Sequence, residues 1–310
     1  MTGPTSLTPT ASPRADQFSA APVRPPLFPD RVVRRGLFGR IGRDTAFVVG
    51  IGLIVVIVGG AVFAPLLTPH DPMMISPTAR LRPFSTDHLF GTDRLGRDLF
   101  ARVVYGARIS LFVGVSVAFL AALIGLFIGL VSGYVRALDG LIMRSMDALM
   151  SIPGILLAIA MMALFGSSVS NVIISITLVE IPRVARLVRG VVLSLREQVF
   201  VEAAVTSGNS SSRIILRHIL PNTMAPLIVQ ASYVCASAML TESILSFIGA
   251  GVPVTVPSWG NVMADGRALW QIRPSMIFVP AVALSLTILA INLVGDSLRD
   301  HLDPRLNRKI

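Results

Sequence analysis

Four histidines, at positions 70, 88, 218 and 301, and one cysteine, Cys235, are the residues best suited to metal or nucleophilic chemistry. Metal sites read from sequence need His, Cys or carboxylate ligands at short, fixed spacings. No two of these histidines are four apart and none has a cysteine beside it, so no metal site is expected. A P-loop ATPase needs G-x-x-x-x-G-K-[ST], because its lysine neutralises the β- and γ-phosphates. The sole lysine is Lys309, so this chain is expected to bind no ATP and to catalyse no hydrolysis. Cys235 lies in an apolar segment and reads as a small packing residue, and a single cysteine excludes an intrachain disulfide. The other candidates are charges inside apolar runs, where an ionisable group is a functional candidate by default. Glu180 and Glu242 are expected to face a bundle interior, where they either line a polar pathway or satisfy a neighbouring helix. Arg144 and Asp147, three apart on one helical face, are expected to pair.

The elements that carry these residues follow from composition. The 310 residues are 53% hydrophobic and 14% charged, whereas soluble domains average about 25% charged. The mean hydropathy is +0.73, and the apolar residues fall in blocks, which specifies an all-α integral membrane protein. One crossing takes about 20 apolar residues. Span one is then Ala46–Leu67 and span two Ile109–Gly133. The uncharged run from Ala148 to Val179 divides at Gly166-Ser-Ser-Val-Ser-Asn171 into span three (Leu141–Phe165) and span four (Val172–Val192). Span five is Thr223–Ser246 and span six Pro274–Gly295. Six transmembrane helices are therefore expected. Residues 1–30, rich in Pro, Ser, Thr and Ala, read as a disordered tail. Residues 31–43 carry five arginines and read either as a short amphipathic surface helix or as a basic cytoplasmic flank. A secretory signal peptide is not expected, because the first apolar run starts too late.

The net charge of +10 comes from arginines between the apolar blocks, which points to membrane topology rather than nucleic acid. With both termini cytoplasmic, the inner segments hold 19 basic residues and the outer ones 8, in line with the positive-inside rule. The outer loop 68–108 is the exception to that trend, with six arginines. Span two places Ala121, Gly125, Gly129 and Gly133 at four-residue intervals, a small-residue stripe that lets another helix approach closely. The inner loop between spans four and five reads as a helix–bend–helix. A first helix including Leu195–Ser207 ends at Gly208, Asn209 or a following serine caps a second, and Pro221 ends that one. Such a protruding elbow suits docking into a partner's groove.

Glu202-Ala203-Ala204, Gly208 six residues after the glutamate, and Ile219-Leu220-Pro221 resemble the EAA loop of ABC-importer permeases. His218-Ile219-Leu220-Pro221-Asn222 is similar to the form found in the peptide-importer branch. Phe90-Gly-Thr-Asp-Arg-Leu-Gly-Arg-Asp98, Tyr105-Gly-Ala-Arg-Ile-Ser-Leu111, Met143-Arg144 with Asp147 and Pro153, Ser246-Phe247, Pro257-Ser-Trp-Gly-Asn261 and Asn292-Leu-Val-Gly-Asp296 resemble the C-type permeases of dipeptide and oligopeptide importers. The resemblance implies the type I ABC-importer permease fold in a bacterial cytoplasmic membrane. Its divisions would be residues 31–108 (basic flank, first transmembrane helix, external loop), 109–298 (five-helix core with a coupling loop at 193–222) and 299–310 (cytoplasmic tail). It also implies a heterodimer with a B-type permease, two ATP-binding subunits or domains that hold ATP and magnesium, and an extracytoplasmic solute-binding protein. Relatives of this kind carry dipeptides, oligopeptides, glutathione or nickel complexes. An ion-coupled secondary carrier is the alternative from another class, and it would show matching inverted halves, which are not visible here. A membrane enzyme is a third, without a convincing catalytic constellation.

Overall fold

The computed structural model describes residues 44–302, together with Gly3. The expected tail at 1–30, the basic segment 31–43 and the end of the C-terminal tail lie outside the described residues. The described residues are mostly helical, with no strand among them and a single isolated bridge between Thr92 and Asp98.

Helix α1 (Thr45–Val62) starts where the Asp44 carboxylate accepts the Ala46 N–H at 3.0 Å, a side-chain cap on an otherwise unpaired backbone donor. A turn at Phe63 follows, and Pro65 opens the one-turn helix α2 (Ala64–Leu67). Helix α3 (Leu99–Tyr134) has 36 residues, or about 54 Å at 1.5 Å per residue. It begins ten residues ahead of the expected second span, because Asp98 caps it by accepting the Ala101 N–H at 2.7 Å.

The expected third span is not one helix. Helices α4 (Arg136–Met150) and α5 (Gly154–Phe165) meet at 83° across Ser151-Ile152-Pro153. Proline supplies no N–H and drives the preceding residue out of the α region, so an uninterrupted apolar run still breaks there. The Gly166–Asn171 division does form a turn: Ser168 accepts the Asn171 N–H at 3.0 Å and opens α6 (Val169–Arg196).

Beyond α6 come α7 (Val199–Thr206), α8 (Ser211–Ile214), a π-turn over Ile215–Ile219, α9 (Leu220–Ile248), α10 (Trp259–Gly266) and α11 (Ser275–Leu302). The expected tail from residue 299 thus begins as the last turn of α11. Four helices, α1, α3, the run Ser211–Ile248 and α11, are long and apolar enough to cross a membrane. The bent pair α4–α5 makes a fifth if counted as one passage. The expected six is not reached, because every 18-residue stretch of α6 contains at least three of Glu180, Arg183, Arg186, Arg189 and Arg196.

The most extensive packing joins α3 to α6. A Cβ on Gly125, Gly129 or Gly133 would lie 2.6, 2.5 and 2.7 Å from the Cβ atoms of Val184, Val188 and Val192 respectively. With Ala121, itself fully buried, these glycines let the two backbones approach, and Val184, Val188 and Val192 seat in the channel. The stripe is therefore occupied within this chain. The faces of α1 opposite the core leave Val55 and Val56 at 63% and 71% exposure, as lipid contact requires.

Candidate functional site

The elbow between α6 and α9 differs in detail from its expectation. The first helix is not continuous from Leu195: α6 stops at Arg196 and α7 starts afresh at Val199. Its end is a complete Schellman motif. The Asn209 N–H donates to the Ala204 carbonyl at 3.2 Å and the Gly208 N–H to Val205 at 3.0 Å, which places Gly208 at the left-handed position, φ +72°. The Asn209 side chain does not cap the second helix. It turns back to donate to the same Ala204 carbonyl at 3.0 Å, and Ser210 stands at the start of α8 without a side-chain cap bond.

Pro221 does not end the second helix either. The π-turn, in which the Leu220 N–H reaches the Ile215 carbonyl, runs directly into α9, with Pro221 in that helix's first turn. A proline there sacrifices no essential donor. Asn222 and Thr223 donate to the His218 and Ile219 carbonyls at 2.6 and 2.9 Å, taking up acceptors around the proline.

Burial sorts the elbow residues into two sets. Val201, Ala204, Ile214 and Ile219 join the main apolar core. Glu202, Ala203, Gly208 and Pro221 are exposed, and Leu220 is half-buried. The apolar side chains Val199, Phe200 and Val205 of α7, and Leu216 of the π-turn, are also exposed, with Val199 at 79%. The elbow thus has a hydrogen-bonded bend, is anchored from within, and carries exposed apolar side chains on its outer face. That combination suits an element seating in a complementary cleft.

The two acids expected to face the bundle interior are engaged by neighbouring side chains. Glu180 accepts from Arg183 at 2.9 Å and from Ser237 of α9 at 2.9 Å, so it ties α6 to α9. Glu242 is fully buried and accepts from Ser246 at 2.8 Å and from Ser110 of α3 at 3.2 Å, with Ser243 also within reach. The expected pair of Arg144 and Asp147 does not form. Asp147 pairs with Arg186, and Asp139 is gripped by both the Nε and Nη2 donors of Arg189, because two α6 arginines cross over to α4.

Two clusters in the loop 68–98 were not read from sequence. Asp93 accepts from Arg97 Nε at 2.6 Å and Arg102 Nη1 at 2.8 Å, and Asp265 of α10 accepts from both guanidiniums at 2.6 and 2.8 Å. Arg102 is fully buried, and its partner Asp265 lies 163 residues away in sequence. The second cluster is His70, His88 and Asp98, whose side-chain ligand atoms lie within 4.8 Å of one another. Contrary to the expectation from spacing, the fold gathers three donors of metal-binding type. The legible signal was the concentration of Arg, Asp and His between His70 and Arg102; their pairing was not legible.

The helical arrangement matches a solved ABC transporter permease. The inward-facing methionine transporter MetNI aligns with a TM-score of 0.54 and 18% identity, over 65% of this chain and 96% of that one, a likeness of fold. Residues 108–308 match the family described as binding-protein-dependent transport system inner membrane component, and residues 36–83 match the N-terminal transmembrane domain of oligopeptide transport permease C. The probable peptide ABC transporter permease protein y4tQ of Sinorhizobium fredii is 51% identical over 80% of this chain and 85% of its own length. The dipeptide transport system permease protein DppC of Alkalihalophilus pseudofirmus is 40% identical over 96% and 95%. The glutathione transport system permease protein GsiD of Escherichia coli is 43% identical over 82% and 84%. The chain belongs to the binding-protein-dependent transport inner membrane components, in the peptide-permease C branch, and is a multi-pass membrane protein.

Proposed function

We propose that this chain forms half of the translocation pathway of an ATP-driven peptide importer and couples that pathway to separate ATP-binding subunits. The observation that carries the proposal is the elbow Val199–Ile219, with its Schellman-fixed bend and its outward apolar face around Glu202 and Ala203. In this reading, ATP and magnesium bind to two partner subunits. Their closure draws the elbows together, and the two permease halves rock between inward and outward access. A related B-type permease supplies the other half, and an extracytoplasmic binding protein delivers the cargo. Di- or oligopeptides are the proposed cargo, in keeping with the peptide and dipeptide permeases among the relatives above.

The chain would cross the membrane six times, through α1, α3, the bent α4–α5 pair, α6, α9 and α11, with both termini and the elbow cytoplasmic. Charges disqualify α6 by composition, but most of them are neutralised: Glu180 by Arg183, and Arg186 and Arg189 by Asp147 and Asp139. The arginine-rich loop 68–108 also fits an external position better than its charge suggests. Arg94, Arg97 and Arg102 share the carboxylates of Asp93 and Asp265, which offsets part of the loop's positive charge.

The test is peptide uptake by the reconstituted complex. Uptake that requires ATP and survives collapse of the proton gradient supports the proposal. Uptake that survives ATP depletion but stops with the gradient overturns it in favour of an ion-coupled carrier.

A further inference from the structure

Outside the elbow, Glu180 and Glu242, the loop between α2 and α3 holds a set of side chains that the transport cycle described above does not use. His70 follows α2, His88 lies in mid-loop and Asp98 caps α3. One ligand atom from each lies within 4.8 Å of the others, and the two imidazole centroids are 5.0 Å apart. The site is sheltered: the His88 and Asp98 side chains are 12% and 3% exposed. All three residues line a cleft of about 250 Å³, which Asp71 and Met74 also border, with space for an ion and a water ligand beside it.

Helix capping accounts for one Asp98 oxygen, which accepts the Ala101 N–H. The other lies 2.9 Å from His88 Nδ1. Neither bond accounts for His70, whose imidazole faces the same cleft and makes no side-chain hydrogen bond among the described residues.

We propose that His70, His88 and Asp98 bind a divalent transition-metal ion of the zinc class. Zinc takes imidazole nitrogen and carboxylate oxygen at about 2.0–2.2 Å in a tetrahedron, which sets neighbouring ligand atoms about 3.3 Å apart. The His88–Asp98 separation is already close to that distance, so the ion replaces the proton between them. His70, on a half-exposed loop residue, closes in by an ångström or more. Water fills the fourth position. Two imidazoles and a carboxylate without thiolate suit zinc better than magnesium or calcium, which prefer all-oxygen sites. Bound metal staples the start and middle of the loop to the first turn of α3.

The test is titration of Zn(II) alone into the purified full-length chain in detergent, read by competition with a chromophoric chelator, with Co(II) absorption as a second readout. The wild type is expected to take up one ion per chain. His70→Ala, which removes no hydrogen bond and leaves the α3 cap in place, is expected to weaken binding by more than the roughly 10–100-fold that loss of an outer hydrogen-bond partner costs. His88→Ala should do the same. His218→Ala and His301→Ala should bind like the wild type, and only the first pair should lose the tetrahedral Co(II) spectrum. No stoichiometric binding to the wild type, or unchanged affinity in His70→Ala, overturns the proposal.

Discussion

Replacing Gly208 isolates the backbone geometry of the elbow from its packing. The residue sits at φ +72°, and a Cβ built there meets nothing within 4 Å. A substitution therefore causes no collision, and its cost is conformational. A non-glycine residue in the left-handed region costs about 1–2 kcal/mol, and a β-branched one more, since for it that region is a genuine outlier. A penalty of 1–2 kcal/mol changes a conformational population by a factor of about 5–30. If partner binding requires this bend, Gly208→Ala should raise the Kd for the ATP-binding subunits by about that factor, and Gly208→Val by more. Gly208→Asn should stay near wild type, because asparagine visits the same region readily. The assay is equilibrium binding of the ATP-binding subunits to the permease in nanodiscs, with thermal unfolding of each variant measured alongside. Wild-type affinity in Gly208→Val, or Asn binding as weakly as Val, would refute the reasoning.

Three other perturbations follow from the packing. Gly129→Leu puts a Cβ 2.5 Å from Val188 Cβ and 2.7 Å from the Ala185 carbonyl, so thermal unfolding should report a loss of about 1–3 kcal/mol, and adding Val188→Ala should recover part of it. Asp265→Ala leaves two buried guanidiniums underpaired and should cost about 3–5 kcal/mol, whereas Arg94→Ala, whose side chain is 58% exposed, should cost under about 1 kcal/mol in the same measurement. The hydrogen bond from Ser297 holds the Asp44 carboxyl below its ordinary value. The stability from that contact is complete above the unfolded carboxylate value of about 3.9 and is lost as pH falls through the lower folded value. Melting curves from pH 7 to pH 3 should therefore show Ser297→Ala less stable than wild type at neutral pH, with the difference shrinking as the pH falls.

What was legible in the sequence was whatever local chemistry decides. Long apolar runs marked α1, α3, α9 and α11, the four-residue spacing of Ala121, Gly125, Gly129 and Gly133 marked a close helix contact, and Gly208 marked the bend. What was not legible depends on partners distant in the chain. Asp98 extends α3 ten residues past the apolar run, and Arg102 rides inside that extension because Asp265 meets it. No local pattern announces such a pairing. Pro153 divides the expected third span, whereas Pro182 sits inside an unbroken α6, so proline alone does not tell a break from a tolerated kink. Asp147 prefers Arg186 over Arg144 for the same reason, because α6 brings its arginines across α4. The histidine cluster leaves no spacing signature, because the loop assembles it from three separate places rather than along one element.

An elbow that seats in ATP-binding subunits must face the side of the membrane where they lie, and a single cysteine placed on it reports which side that is. Cys235 is buried, so Ala203→Cys in a Cys235→Ser chain leaves one exposed thiol at the elbow. A membrane-impermeant maleimide should label that thiol in inverted vesicles and leave it untouched in right-side-out ones, and added ATP-binding subunits should shield it. Labelling from the outer face of intact cells would contradict the account.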